Sequence, residues 1–571
     1  MIKSIKQFKE KLYFLITKKD KKDIQNVLIL GFVVGLFELV GLALIVLMIQ
    51  VFTNTSIIES NQYFKYLYQN IAQNSLTSFI VIFSTFIFLF YIVKLILSIK
   101  NAKLMAKLTS NLYIDISKKL FENYLNYYYR DFGKKNTAEI NQILVVESDN
   151  LALMVSNIIY LLIHLIIIGL LYGYMMYIDW FLTVIVTTIF ILLAYMYKKL
   201  LNKRLVVMGE ERIDAVNSYM RFIKSTFSNY KFIKGLTGEY IDTNLSYKTT
   251  NYKKARIDML FWSETPRLIL EFFVIATMIG ILLFIKLRYQ NTDELLVVVS
   301  AYALALFRML PSLSRVLNGV SIINMYKKTL DMVHTEFVNE TETKQTDLEH
   351  VVLKNNILLQ NISFVYPDSD KQSLVDINIE IKKGDKIAIV GESGSGKSTL
   401  MDILIGLHLP TNGNFIVDDV EINSENIVSW RKNTSFVPQK VVLFESSVKE
   451  NITFGKQYDE NLFQEVLEDV FMYDTVMTKG GIDAKVGDEV SGFSGGQMQR
   501  LAFARALYQE RDVLFLDEAT SSLDEEIENQ IVNKILNKHK EKTIIAIVHK
   551  ESIADKFDKI LRLKGGCIAE K

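Results

Sequence analysis

Cysteine is nearly absent: Cys567 is the only one in 571 residues, so no intramolecular disulfide can staple the chain. Proline is scarce too, five in all, and long stretches carry none, which leaves long helices unbroken. No sign of charge dominates. With 65 Lys and Arg against 63 Asp and Glu, the formal net charge is +2. That excludes the global basic field expected of a nucleic-acid binder. What is present is apolar: half of the residues are hydrophobic, with 35 Phe and 28 Tyr. They are unevenly spread, piling up before about residue 325 in runs of 18 or more. Such runs cross about 30 Å of hydrocarbon. The remainder has ordinary water-soluble composition.

Six candidate spans follow: Val27–Phe52, Leu76–Ile99, Leu151–Tyr177, Trp180–Tyr197, Phe261–Ile285 and Leu295–Ile323. Only Ile178 and Asp179 separate the third from the fourth, a tight hairpin. The first run lacks a small-residue cleavage site and reads as a retained span. Cations set the orientation. Eight lysines lie in the first 26 residues, and linkers 100–150 and 198–260 are rich in Lys and Arg, whereas loop 53–75 holds one Lys and one Glu. The N-terminus, both linkers and the C-terminal domain are therefore expected in the cytoplasm.

Both linkers have heptad-like apolar spacing, few glycines and no proline, so each reads as a pair of helices leaving the membrane and closed by a turn. The turns are predicted near Tyr129–Thr137, where Asp131, Gly133 and Asn136 interrupt the pattern, and within Ile223–Phe232. From Asp331 to His350 the composition turns polar and acidic, which predicts a linker. The expected domains are thus a transmembrane domain over 1–330, a linker over 331–350 and a nucleotide-binding domain over 351–571. In the last, strand-like runs such as Lys386–Val390 and Val513–Leu516 alternate with helical stretches, an α/β pattern.

Gly391, Glu392, Ser393, Gly394, Ser395, Gly396, Lys397, Ser398 and Thr399 contain the phosphate-loop pattern G-x-x-x-x-G-K-[ST]. An apolar strand precedes it and a helical run, Leu400–Leu407, follows, the context the motif needs. Glycines let backbone N–H groups converge on phosphates, and the helix N-terminus adds partial positive charge. Lys397 would reach the β- and γ-phosphates, and the Ser398 hydroxyl would ligate Mg²⁺. Downstream, Val513–Leu516 ends in Asp517, placed to hold Mg²⁺, and Glu518, placed to polarise the attacking water.

Phe493, Ser494, Gly495, Gly496 and Gln497 resemble the LSGGQ signature of ABC transporter ATPases, with Phe in place of Leu. Other pieces similar to that family occur in its order. Tyr366 matches the aromatic that stacks on adenine, and Gln439 the glutamine that senses Mg²⁺ and the water. Ser522–Asp524 match the turn at the dimer seam, and His549 the histidine that contacts γ-phosphate. The resemblance implies ATP sandwiched between the phosphate loop of one copy and Ser494–Gln497 of a second. One chain supplies half of the usual complement, so a homodimer with two competent sites is expected, with Asp524 at its seam. The implied architecture is a membrane all-α six-helix exporter bundle plus an α/β P-loop ATPase domain, its two turns serving as coupling helices.

Charges inside spans usually mark function. Lys94 lies in the second span, Arg267 and Glu271 in the fifth, Arg308 and Arg315 in the sixth. Arg308 and Arg315 are two turns apart on one helix face, a cationic stripe whose guanidinium forks suit phosphate oxygens. The competing reading pairs them with Glu271 or Glu38, or lets Arg267 and Lys94 snorkel to the interface. Tyr302–Arg315, Thr265–Arg267 and Phe90–Lys94 are similar to bacterial lipid-linked oligosaccharide flippases. That resemblance implies a polyprenyl-pyrophosphate glycan moved to the outer leaflet of a bacterial inner membrane. Lys94, Arg267, Arg308 and Arg315 are then the candidate cargo residues. Flipping of a lipid A-type glycolipid and multidrug export are the alternatives. Phe64, Leu67, Tyr68 and Ile71 share one helical face in loop 53–75, which predicts a short amphipathic helix at the outer surface, a lid or a contact for an isoprenoid tail.

Overall fold

A computed structural model describes all residues except 1, 54, 56–57, 59–60, 134, 236–238, 289–291, 340, 343–350, 368, 488–491, 521–522 and 571. The chain forms two compact units, Met1–Leu125 with Lys135–Asn339, and Asn126–Lys134 with Glu340–Lys571.

The first unit is helical. It contains α1 (Ile2–Leu15), α2 (Lys18–Thr53), α3 (Gln62–Tyr66) and α4 (Leu76–Leu125), then α5 (Thr137–Asn141) and α6 (Ser148–Ile178). These are followed by α7 (Trp180–Ser228), α8 (Glu239–Arg288), α9 (Thr292–Met325) and α10 (Lys327–Val338). Among the described residues, five stretches are long and apolar enough to cross a membrane: Lys18–Thr53, Leu76–Leu125, Thr137–Ile178, Glu239–Phe284 and Val297–Met325. The fourth expected span is represented by the shorter apolar stretch Trp180–Leu192 that opens α7. Helices α4, α7 and α8 run on for 49 or 50 residues, so the expected cytoplasmic linkers continue the spans as helix. Asp179 makes the tight hairpin between α6 and α7. Its backbone is extended, and its Oδ1 accepts the amides of Phe181 and Leu182 at 3.0 and 3.1 Å, an N-cap. The Tyr302 hydroxyl on α9 donates to the Asp179 carbonyl at 2.7 Å and pins the turn.

The amphipathic segment in loop 53–75 is α3 continued by a π-helical turn, Leu67–Ile71. Phe64 is buried edge-on against Phe79 and Phe83 of α4, while Ile71 is half exposed. The polar stretch after Asp331 begins as helix, since α10 reaches Val338 with Leu330, Val333 and Glu336 buried at helical spacing. A buried glutamate there breaks the equation of acidic with exposed: Glu336 accepts from Lys135 at 2.7 Å.

The second unit is α/β. A four-stranded antiparallel sheet has the order β2-β1-β4-β5, from β1 (Asn356–Val365), β2 (Gln372–Lys382), β4 (Asn412–Val417) and β5 (Val420–Glu421). A six-stranded sheet has the order β12-β11-β3-β10-β9-β6. It comprises β3 (Lys386–Gly391), β6 (Thr434–Val437), β9 (Val513–Asp517), β10 (Thr543–Ile547), β11 (Lys559–Lys564) and β12 (Cys567–Glu570). All its pairings are parallel except β11 with β12. β3, β9 and β10 are buried along almost their whole length, as central parallel strands covered on both faces are. A short pair, β7 (Ser446–Ser447) and β8 (Lys485–Val486), stands beside a helical core built on Phe463, Phe503 and Tyr508.

Residues 126–134 belong to this second unit, far from it in sequence. The Asn126 carbonyl accepts the Glu342 amide at 2.7 Å, and Tyr127 bridges Thr341. The single helical turn Tyr129–Phe132 places the Tyr129 ring edge-on to His408 at 5.6 Å. The second predicted turn is also a helical turn, Tyr230–Ile233, after α7 ends at Ser228.

Candidate functional site

The phosphate loop connects β3 to α11 (Lys397–Ile405), which begins at Gly396 in the left-handed region, φ +99°. A Cβ at Gly396 would sit 2.7 Å from the Ser373 carbonyl oxygen, so glycine is required there on both counts. Lys397 is buried, its Nζ donating to the carbonyls of Gly391 and Glu392 at 2.8 and 2.9 Å, folded back over the loop. Ser395 is buried, and its Oγ has no hydrogen-bond partner among the described residues. Thr399 Oγ1 lies 3.1 Å from the Tyr366 hydroxyl. Tyr366 in turn packs edge-on to Phe364 and His408, at 4.9 and 5.7 Å.

At the C-terminal end of β9 the two carboxylates diverge. Asp517 finishes the strand, and its pKa is raised, first by burial and then by the neighbouring Glu518 charge, against the pull of Lys397 and His549. Glu518 adopts φ +44°, an uncommon conformation for a non-glycine residue, with its amide donating to the Ile547 carbonyl at 3.2 Å. That turn aims the side chain away from the strand. Glu518 Oε1 lies 2.5 Å from His549 Nε2, and Oε2 accepts from Gln439 Nε2. Three residues predicted from three separate motifs therefore meet at one carboxylate. Parallel register makes this inevitable: Ile547 pairs with Asp517 and Val437 with Leu516, so the loops after β6, β9 and β10 emerge at one edge.

The signature residues form their own group at the start of α12 (Gly495–Tyr508). Ser494 is its N-cap in a reciprocal capping box: Gln497 N donates to Ser494 Oγ at 3.3 Å, and Ser494 N donates to Gln497 Oε1 at 3.0 Å. Phe493, the departure from LSGGQ, is buried in the helical core. Its ring faces Lys479 Nζ at 4.5 Å, and Lys479 also donates to Gln497 Oε1 at 3.0 Å. The larger side chain is thus absorbed by packing plus a cation–π seat that leucine cannot provide. Asp524 occupies the N-cap position of α13 (Glu525–Lys538), while Ser522 lies outside the described residues.

In the bundle, the four candidate cargo cations form two groups. Lys94 is buried, 8% exposed, so it does not snorkel; its Nζ lies 2.6 Å from Glu38 Oε1. Arg308 Nε is 3.5 Å from Glu38 Oε2. Arg267 and Arg315 instead line one cleft of about 430 Å³ together with Glu264, Pro311, Ser314 and Asn318. Arg315 also stacks over Tyr160 at 5.7 Å. One group escaped the sequence reading altogether. Glu147, fully buried, accepts from Arg212 at 2.9 Å, Thr329 at 2.7 Å and Gln142 at 3.2 Å. Its only sequence signal is a carboxylate on an otherwise apolar helical face.

Comparison with known proteins agrees with these two halves. Residues 24–310 match the family model "ABC transporter transmembrane region", and residues 374–521 match "ABC transporter". Similar proteins include the ATP-dependent lipid A-core flippase of Bordetella avium (strain 197N), 28% identical over 82% of this chain and 80% of that one. Another is the protein of that name in Burkholderia orbicola (strain AU 1054), 28% identical over 76% and 72%. The solved structure of a bacterial Atm1-family ABC exporter with ATP bound superposes with a TM-score of 0.79, at 21% identity, over 96% of this chain and 94% of that one. The chain therefore belongs to the ABC transporter family, as an exporter-type half-transporter: a multi-pass membrane protein in which ATP hydrolysis is coupled to transport.

Proposed function

We propose that the protein is a homodimeric flippase that moves a phosphate-bearing, lipid-linked glycan from the cytoplasmic to the outer leaflet of a bacterial inner membrane. The observation that carries this reading is the cationic lining of the bundle. Lys94, Arg267, Arg308 and Arg315 lie in or beside spans where each charge costs about 3 kcal/mol or more unless it is used. Guanidinium forks match phosphate oxygens, and a drug-sized neutral cargo would not need them. A polyprenyl-pyrophosphate glycan is the cargo this lining fits, with its isoprenoid tail left in the lipid. A second reading, a lipid A-type glycolipid, is favoured by the names of the relatives and uses the same phosphate chemistry.

In the ATPase unit, the backbone amides of Gly391–Thr399 and Lys397 would hold the phosphates, with Tyr366 against the base. Ser398 and Asp517 are the residues that would hold Mg²⁺. Their fit rests on Asp517, a half-buried carboxyl beside a second carboxylate, which a cation would relieve. The ion would neutralise charge developing on the transferred phosphoryl group. Glu518 orients and deprotonates the attacking water. His549 and Gln439 fix its two oxygens, so that the base does not wander. Ser494–Gln497 of a second copy would close the site, the capping box keeping the N-terminus of α12 rigid for the γ-phosphate. Closure of the two ATPase units would then turn the bundle outward through the turns at Tyr129–Phe132 and Tyr230–Ile233.

The test is flipping in proteoliposomes, with polyprenyl-pyrophosphate glycan in one set and lipid A in another. Arg308→Ala and Arg315→Ala are each expected to lower flipping about tenfold or more, by loss of a charge-assisted hydrogen bond. Undiminished flipping in both variants would remove the arginines from cargo recognition.

A further inference from the structure

The bundle contains one feature that cargo binding alone does not require. A single carboxylate, Glu38 on α2, stands between two of the cations, 2.6 Å from Lys94 and 3.5 Å from Arg308. The two contacts are unequal. Oε1 holds a buried ammonium at close range, in surroundings where an unpaired charge is costly. Among the described residues Oε2 has no hydrogen-bond partner, although it is buried and Arg308 Nε is near. Arg308 itself keeps 40% of its side chain exposed. The trio carries one positive charge in excess.

The surroundings fix this geometry. The Tyr91 ring lies under both cations, 5.3 Å from Lys94 Nζ and 6.0 Å from the Arg308 guanidinium carbon. Tyr91 is seated by Gly41, one turn beyond Glu38, where a Cβ would come within 2.9 Å of its hydroxyl. Phe37, beside Glu38, stacks on Phe90, beside Tyr91, at 4.9 Å. Helices α2 and α4 are thus locked around the Glu38–Lys94 pair, while Arg308 on α9 is the loosely held member.

We propose that Glu38 is an internal counter-ion that competes with the cargo's phosphate for Arg308 and so sets how anionic a lipid must be to engage the bundle. This rests on the cargo reading above. A neutral head group cannot displace a carboxylate from a guanidinium. A phosphate can, because it offers more oxygens and more charge to the planar fork. Glu38 remains with Lys94 and prevents the buried ammonium from being stranded when Arg308 turns to the cargo.

The test uses the full-length protein in phosphatidylcholine proteoliposomes. ATPase stimulation is titrated with lipid A, with undecaprenyl pyrophosphate, and with a dephosphorylated lipid as the neutral arm. Glu38→Gln is expected to lower the half-maximal concentration of the phosphate lipids roughly tenfold. Glu38→Asp, which keeps the charge, is expected to stay within about twofold of wild type. A response confined to one lipid identifies the source of the phosphate. A wild-type response that Glu38→Gln leaves unshifted overturns this inference alone. No wild-type response to either phosphate lipid overturns the cargo reading and this inference with it. Should Glu38→Gln fail to fold because Lys94 is left unpaired, the double variant Glu38→Gln/Lys94→Met is compared with Lys94→Met alone, in which Glu38 keeps Arg308 as its partner, so that the loss of one cargo-facing cation is common to both. There an unshifted half-maximal concentration is again the overturning result.

Discussion

Replacing Glu147 with Gln should cripple the helical unit, although it changes one atom type and no shape. Glu147 is fully buried, and Arg212, 7% exposed, has it as an ion-pair partner. Thr329 and Gln142 donate to the same carboxylate, so α6, α7 and α10 converge on one charge. Arg212 also lies over the Tyr326 ring at 5.1 Å, which holds it in place and leaves it nowhere to go. Losing one member of a buried pair strands the other, at a cost of about 3–5 kcal/mol. If that loss is felt in the unfolding barrier, thermal inactivation accelerates by about two to four powers of ten. The assay heats detergent-purified protein and follows the monodisperse fraction and the remaining ATPase activity. Replacing both members, Glu147→Leu with Arg212→Met, should recover most of the loss, because no charge is then left behind. Glu147→Gln inactivating at the wild-type rate, or a double variant no better than the single, would refute the reasoning.

Glu518→Gln keeps the hydrogen-bonding shape but loses the base, so hydrolysis should fall at least about a hundredfold while nucleotide binding persists; brisk turnover would remove Glu518 from that role. Asp402, on α11, has its pKa raised to about 6 by burial and by Asp517. Its ionised form is therefore disfavoured in the folded state, and its proton is held more tightly there than in the unfolded chain. The resulting destabilisation grows between about pH 4 and pH 6 and is complete above that. Asp402→Asn should inactivate more slowly than wild type at pH 7.5, with the advantage shrinking as the pH is lowered toward 4. A ratio of rates that does not change with pH would contradict this.

What could be read from the sequence follows a physical divide. Phosphate chemistry needs contiguous residues in a fixed order, so the loop at Gly391–Thr399 and the capping box at Ser494–Gln497 are visible as strings. Hydrocarbon needs long apolar runs, so the spans are visible as composition. Clusters assembled across helices leave no such trace. Glu147 and Thr329 are 182 residues apart, and each alone reads as an ordinary polar residue. Lys94 illustrates the middle case. Its cost inside a span is evident from the sequence, but the alternative to cargo binding offered for it is snorkelling, with Glu38 a partner only for the arginines; that Glu38 pairs with Lys94 depends on which faces of α2 and α4 meet. The same holds for α10, where the acidic composition after Asp331 pointed to a linker. Composition cannot register that Glu336 is buried against Lys135. Arg308 and Arg315, seven residues apart on α9, share a helix face. That face nevertheless serves two places, because seven residues of helix rise about 10 Å.

The turn at Tyr129–Phe132 travels with the ATPase unit although more than 200 residues intervene before the rest of that unit begins. A protease or a gene boundary placed after α10 would therefore not release a complete domain. The fragment would lack the strand bridge that Tyr127 gives Thr341 and the ring that Tyr129 lays on His408. An apolar face that includes Phe364 and Leu407 would be bared in its place. Such a fragment should keep its nucleotide loop yet tend to self-associate, and adding back a peptide spanning 126–134 should restore it to solution. Sequence order and folding unit are out of register here. The stretch between two membrane-side helices supplies part of the ATPase unit itself, so that unit cannot be exchanged between relatives without carrying residues 126–134 along.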